Sequence, residues 1–214
     1  MRIQCRLQMN GVASTSMREK GLNYKLNFGL TIPQIKLLAT KYQADEGLAE
    51  ALWKEETREL KILATLLYPT GKYTKMIARS WITQIPNQEI REQLSINLLQ
   101  NLPFAGELAS EWSNTVNEDI RTSGYWLLAR ILIAGKSSEG IISSCAFSHI
   151  YSDILSEDHF LHNAANLALK HLGRQSKTEA DNILNKLLSY KEDPDPTKRE
   201  IYDSLSFEFE FYHK

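Results

Sequence analysis

Apolar residues recur at steps of three and four through most of this chain, the spacing that lays one hydrophobic stripe along a helix. Between residues 28 and 69 the pattern predicts three short helices in close succession. Ile32, Ile35, Leu38 and Ala39 share the first stripe, Leu48, Ala51 and Leu52 the second, and Leu60, Leu63, Ala64 and Leu67 the third. Pro33 suits a first helical turn, where its missing N–H costs nothing, and Pro69 stops the third helix.

The same periodicity continues on both sides. Residues 3–10 read as a short helix and residues 11–16 as a break opened by Gly11. Residues 73–84 place Met76, Ile77, Ser80 and Trp81 on one side, and Asn87 caps a further helix that runs to Leu99. A helix over 104–112 precedes Asn117, the cap of a strongly apolar segment over 120–133 that is predicted central and buried. Further helices are predicted over 139–151, 157–172 and 179–188, with Gly173 as a left-handed C-terminal cap. Ser176 with Glu179, and Thr197 with Glu200, have capping-box spacing, and residues 191–196 form a charged, proline-broken loop. The tail alternates Phe and Glu, which leaves a short strand, an irregular terminus and a continued helix all open.

No strand alternates with these helices, so an α/β fold is excluded. About ten modest helices, each needing a neighbour to cover its apolar stripe, predict an all-α fold in which helical pairs stack into a curved α-solenoid. With no break in composition, residues 1–214 are expected to form one domain.

Charge changes the picture only when divided along the chain. The net charge is −1, yet residues 1–80 hold 13 Lys and Arg against 7 Asp and Glu, and residues 81–214 hold 12 against 19. A basic N-terminal part could meet phosphates or could be ordinary solvated helix faces. The near-zero total argues against strong nonspecific DNA binding, which comes from many cationic contacts. Cys5 and Cys145 are far apart and outside any C-x-x-C pair, so two reduced thiols are expected. No apolar run reaches the length of a signal-peptide core or a membrane span, which predicts a soluble cytoplasmic protein.

One ordered set of residues carries a family resemblance. Phe28-Gly29 followed by Pro33, Ile35 and Lys36, then Leu48-Ala49 and Leu52-Trp53, then a leucine-rich helix ending in Tyr68-Pro69, resembles the bacterial DNA alkylation repair family. The likeness continues through Asn97-Leu98-Leu99, Glu111-Trp112-Ser113, Gly124-Tyr125, Asn163-Ala164 and Leu172-Gly173, so it covers most of the chain. It implies HEAT-like helical pairs, a concave surface that cradles double-stranded DNA, and excision of N3- or N7-alkylated purines. Such a base is cationic and already a good leaving group, so a carboxylate that stabilises positive charge on the sugar suffices. No metal or organic cofactor is implied, and the protein is expected to act as a monomer.

The family's functional set is an aspartate with a nearby tryptophan, an arginine on a later helix, and a second tryptophan. By the resemblance, Glu92 falls at the aspartate, Gln88 at the first tryptophan, Thr122 at the arginine with Arg121 adjacent, and Leu167 at the second tryptophan. The scaffold therefore matches while all four functional positions depart from the pattern. Two readings follow. In one, Glu92 is the catalytic stabiliser and Arg121 a phosphate contact; in the other, a non-catalytic DNA-structure binder or protein-interaction solenoid has kept the stack and lost the site.

The remaining candidates are weaker. Arg18, Lys20, Lys25, Lys36 and Lys41 are candidate phosphate contacts, each of which is equally a solvated cation. Trp53, Trp81 and Trp112 fall at core positions, whereas Tyr125 and Trp126 could reach a DNA groove if their helix lines it. His159 and His162 lie three apart, but no metal-site motif accompanies them.

Overall fold

The computed structural model describes residues 1–135 and 142–214. Seven helices lie in a first compact unit, Met1–Leu102: α1 (Arg2–Leu7), α2 (Gly11–Glu19), α3 (Ile32–Ala39), α4 (Glu46–Trp53), α5 (Arg58–Leu67), α6 (Lys75–Ile82) and α7 (Gln88–Asn97). Among the described residues, six lie in a second, Pro103–Lys214: α8 (Ala105–Ser113), α9 (Glu118–Ile133), α10 (Ile150–Asp153), α11 (His159–Gly173), α12 (Lys177–Lys186) and α13 (Pro196–Tyr212). Among the described residues there is no strand, only an isolated bridge between Leu26 and Thr57. None of these helices is long and apolar enough to cross a membrane.

Most helices start where a short polar side chain can take up an orphan backbone N–H. Asn10, Thr31, Asp45, Thr74, Asn87, Asn117, Asp158, Ser176 and Asp195 all accept such a bond. Asn10 is why the expected break at Gly11 is instead the first residue of α2. At Thr31 the box is complete, because Gln34 reaches back to the Thr31 N–H. The two boxes expected later are corrected. Ser176 does cap α12, but Glu179 turns away to accept the Ser144 N–H, and α13 is capped by Asp195 rather than Thr197.

Buried stripes follow the predicted periodicity with local rotations. α4 buries Ala49, Leu52 and Trp53 while Ala51 is exposed, and α6 buries Ala78, Trp81 and Ile82 while Met76 and Ser80 face solvent. The rotation brings Trp53 flat onto Trp81 at 4.0 Å, with Tyr68 and Tyr73 edge-on to Trp81. α9 is buried on most sides, as its apolar run predicts, and so is α5, which was expected to bury a single stripe. Of the helix expected over 139–151, residues 139–141 lie outside the described residues. The rest is a 3-10 turn, Ser144–Ala146, and α10. The tail is helical: Ile201, Tyr202, Leu205 and Phe209 form one buried stripe of α13.

Within each unit, polar contacts repeat at a near-constant separation. Trp53 bonds Gln84 and Arg58 bonds Glu89, each 31 residues on; Asn97 bonds Thr65 and Arg121 bonds Asp153 at 32. Gln175 bonds Ile142 at 33, and Arg174 pairs with Glu208 at 34. A fixed separation between matched contacts is the signature of a structural repeat, in which each helical pair is tied to the next at the same register.

Candidate nucleic-acid interface

The residues named as candidates divide between the two units. In the first, Arg18 and Lys20 end α2, Lys25 lies in the extended segment that follows, Lys36 is in the last turn of α3, and Lys41 is just beyond it. All five are exposed. Lys25 pairs with Glu56 at 2.6 Å, and that bond and charge raise its pKa. Arg18 and Lys36 sit at helix C-termini, where cations are favoured by the backbone dipoles. The first unit as a whole holds 14 Lys and Arg against 9 Asp and Glu, and the second 11 against 17.

Glu92 is half-buried on α7, and Oε1 accepts a 3.0 Å hydrogen bond from Gln88 Nε2. Gln88 Oε1 in turn accepts from the buried Arg91 guanidinium at 2.5 Å. Amide and carboxylate thus hold each other along one helix edge, one turn apart. The carboxylate stands one hydrogen-bonded amide removed from a guanidinium.

In the second unit the geometry overturns two expectations. Arg121 is 6% exposed and holds the Asp153 carboxylate bidentately at 2.7 and 2.9 Å, while Nη1 donates to the Val116 and Thr115 carbonyls at 2.8 and 3.3 Å. The Tyr125 hydroxyl donates to the same carboxylate at 2.9 Å from a fully buried ring. The hydrogen bond that Arg121 donates to Asp153 holds its charge, raising its pKa despite burial. Burial, then the Asp153 charge, pushes the Tyr125 hydroxyl well above its usual range. Arg121 and Tyr125 are therefore interior ties between α9 and α10, with their donors spent on protein groups, and the phosphate and groove contacts expected of them are withdrawn. Trp126, next along α9, is half-buried, and its indole N–H finds no acceptor among the described residues. Thr122 is buried and donates to the Glu118 carbonyl.

The sequence reading missed the counterpart of this cluster in the first unit. Arg58 is 1% exposed, with Nε and Nη2 on the Glu89 carboxylate at 2.7 to 3.1 Å and Nη1 on the Leu30 carbonyl and Glu59. Glu59 accepts the Phe28 and Leu30 N–H groups, and Tyr24 donates to Glu89 at 2.7 Å. Burial works against the Arg58 charge, but the bond and charge of Glu89 and the charge of Glu59 outweigh it and raise the pKa. The signal available in the sequence was the 31-residue step from Arg58 to Glu89, close to the 32-residue step from Arg121 to Asp153. Both arginines lie in the first turn or two of a helix and reach an acid in the next pair.

His159 and His162 share α11 but meet asparagines, with Asn163 at 2.8 Å and Asn166 at 3.3 Å. Among the described residues no group of three metal-ligating side chains comes together. Both cysteines are free, Cys5 buried and Cys145 exposed; burial, then the Glu59 charge, pushes the Cys5 thiol up to about 11.

A model of the DNA alkylation repair enzyme family matches residues 10–202. A solved structure from work on "a new family of proteins related to the HEAT-like repeat DNA glycosylases with affinity for branched DNA structures" superposes with a TM-score of 0.74 at 14% sequence identity, covering 96% of this chain and 92% of that one. No curated protein matches. At that identity the structural likeness establishes the fold, an all-helical HEAT-like repeat.

Proposed function

Because this chain belongs to the DNA alkylation repair enzyme family, we propose that it is a DNA-structure binder, recognising branched or damaged duplex DNA without excising a base. One observation carries the loss of chemistry. Of the four positions that the resemblance assigns to function, Gln88, Thr122 and Leu167 offer neither aromatic face nor charge, and the adjacent Arg121 is consumed by Asp153. Catalytic groups depend on placement to within fractions of an ångström, whereas a helical stack tolerates substitution. The affinity for branched DNA named for the structural relative fits a scaffold that has outlived a glycosylase site.

The contacts assigned to DNA are the exposed Arg18, Lys20, Lys36 and Lys41, with Lys25 available by exchange from its exposed partner Glu56. Glycosylase activity is the second reading, favoured by the half-buried carboxylate of Glu92. Both are tested by titrating labelled four-way junctions and linear duplexes of equal length, and by assaying release of N7-methylguanine from duplex DNA under single turnover. The expected result is junction affinity at least about tenfold above linear duplex, or 1.4 kcal/mol, with no base release. Release that disappears in Glu92→Gln would instead establish a glycosylase. Absence of DNA binding would point to a protein-interaction solenoid.

A further inference from the structure

The second unit contains a cleft of about 360 Å³ between α11 and α13, at the small end of the size range of ligand sites. Its floor is aliphatic, made by Leu167, Ile201 and Leu205. Its rim is polar and rich in acceptors. Asn166 Nδ2 donates to the His162 carbonyl at 3.0 Å, which fixes the amide nitrogen and leaves Oδ1 without a protein donor among the described residues. Asn163 Nδ2 is likewise spent on His159, and the Glu200 carboxylate on α13 has no protein partner among the described residues. Thr197 and Ser204 add hydroxyls of either polarity. Lys170, the cation of the lining, already pairs with Glu208 at 2.7 Å.

An anion would meet this excess of acceptors unfavourably, and a purely apolar group would leave the rim unsatisfied. A flat, apolar-faced group with an exocyclic amine on its edge matches floor and rim together. We infer that the cleft between α11 and α13 receives one unpaired, amino-bearing nucleobase, adenine, cytosine or guanine, displaced at a DNA branch point. This inference rests on the DNA-binding reading above. An unpaired base at a branch point is displaced at little cost, because no base pair is lost. Thymine, with a single ring N–H, fits the rim less well.

The test compares junctions carrying one unpaired adenine, one unpaired thymine or an abasic residue at the same position. Wild type is expected to bind the adenine junction about tenfold more tightly than the abasic one, the yield of one or two well-made hydrogen bonds. Ser204→Trp, which fills the cleft from α13, and Asn166→Leu, which removes a rim acceptor, are expected to abolish that ratio while leaving affinity for the abasic junction unchanged. Thermal melts of both variants confirm that the fold is retained. Equal binding of adenine and abasic junctions by wild type overturns the base site and leaves junction recognition standing. If no junction binds, the function proposed above fails, and titration with deoxyadenosine decides the cleft separately. Amide shifts confined to α11 and α13 would support the site, and unchanged spectra would overturn it.

Discussion

At the scale of single residues, burial decides what a charged side chain can do. Arg121 and Arg58 look in sequence like any cations available to a phosphate, yet each is enclosed with its donors matched to a carboxylate and to carbonyls. Removing one partner of such a buried pair strands the other, which is why these positions cannot double as ligand contacts. His171 shows the reverse case. Burial, then the charges of Arg174, Lys170 and Arg130, outweighs the attraction of Glu208 and lowers its pKa to about 4. The unfolded chain then binds this proton at higher pH than the folded one, so stability falls as pH drops from about 6.5 towards 4. Glu208, whose pKa is lowered by Lys170 and Arg174 against its burial, adds a separate loss only below about 4.5. Melting temperature measured across this range is expected to decline in wild type, and the part of the decline between pH 6.5 and 5 is expected to vanish in His171→Gln.

At the scale of elements, two glycines set how closely helices approach. A Cβ on Gly124 of α9 would lie 2.4 Å from the Ser113 N of α8, and one on Gly173 of α11 would lie 2.2 Å from the Phe209 ring of α13. Gly173 was expected to end its helix in the left-handed region. It is instead the last helical residue, Arg174 provides the cap, and the position is small because a ring rests on it. Gly173→Ala should therefore cost about 1–3 kcal/mol by overpacking, a fall of roughly 2–10 °C in Tm for a chain of this size. Gly106→Ala on α8 is the control, since nothing lies within 4 Å of its Cβ and a small rise of about 0.4–1 kcal/mol is expected. Scanning calorimetry of the pair separates packing from helix propensity. The same logic explains the resemblance motifs. Phe28-Gly29 sits between Asn10 and Glu59, with Gly29 at φ +76° under the start of α2, and Asn97 ties to Thr65. Phe28, Gly29 and Asn97, three residues of those motifs, thus join one helical element to the next.

At the scale of the whole molecule, charge is the property that bears on DNA. The two units carry opposite surpluses, which sum to −1 and hide a cationic first unit. If Lys36 and Lys41 neutralise phosphates, the double variant Lys36→Ala, Lys41→Ala should reduce the slope of log K against log salt by about 1.8, roughly 0.9 per contact. It should weaken binding whatever the DNA sequence, because phosphate contacts carry no sequence information. A slope equal to that of wild type would move the interface elsewhere.

The all-helical class, the placing of most helices, the N-caps at Asn87, Asn117 and Ser176 and the family were legible in the sequence, because periodicity and capping are local and each is written within one or two turns. The third stripe of Leu60, Leu63, Ala64 and Leu67 and the caps at Asn87 and Asn117 stand as the spacing predicts. What the sequence left undetermined depends on partners some 30 residues away. The rotation of α4 and α6, the helical tail beneath which Gly173 lies, and the burial of Arg58, Arg121 and Tyr125 each follow from a neighbouring helix. Only the tertiary structure decided these, because a side chain's role is set by what covers it, and local pattern does not specify the cover.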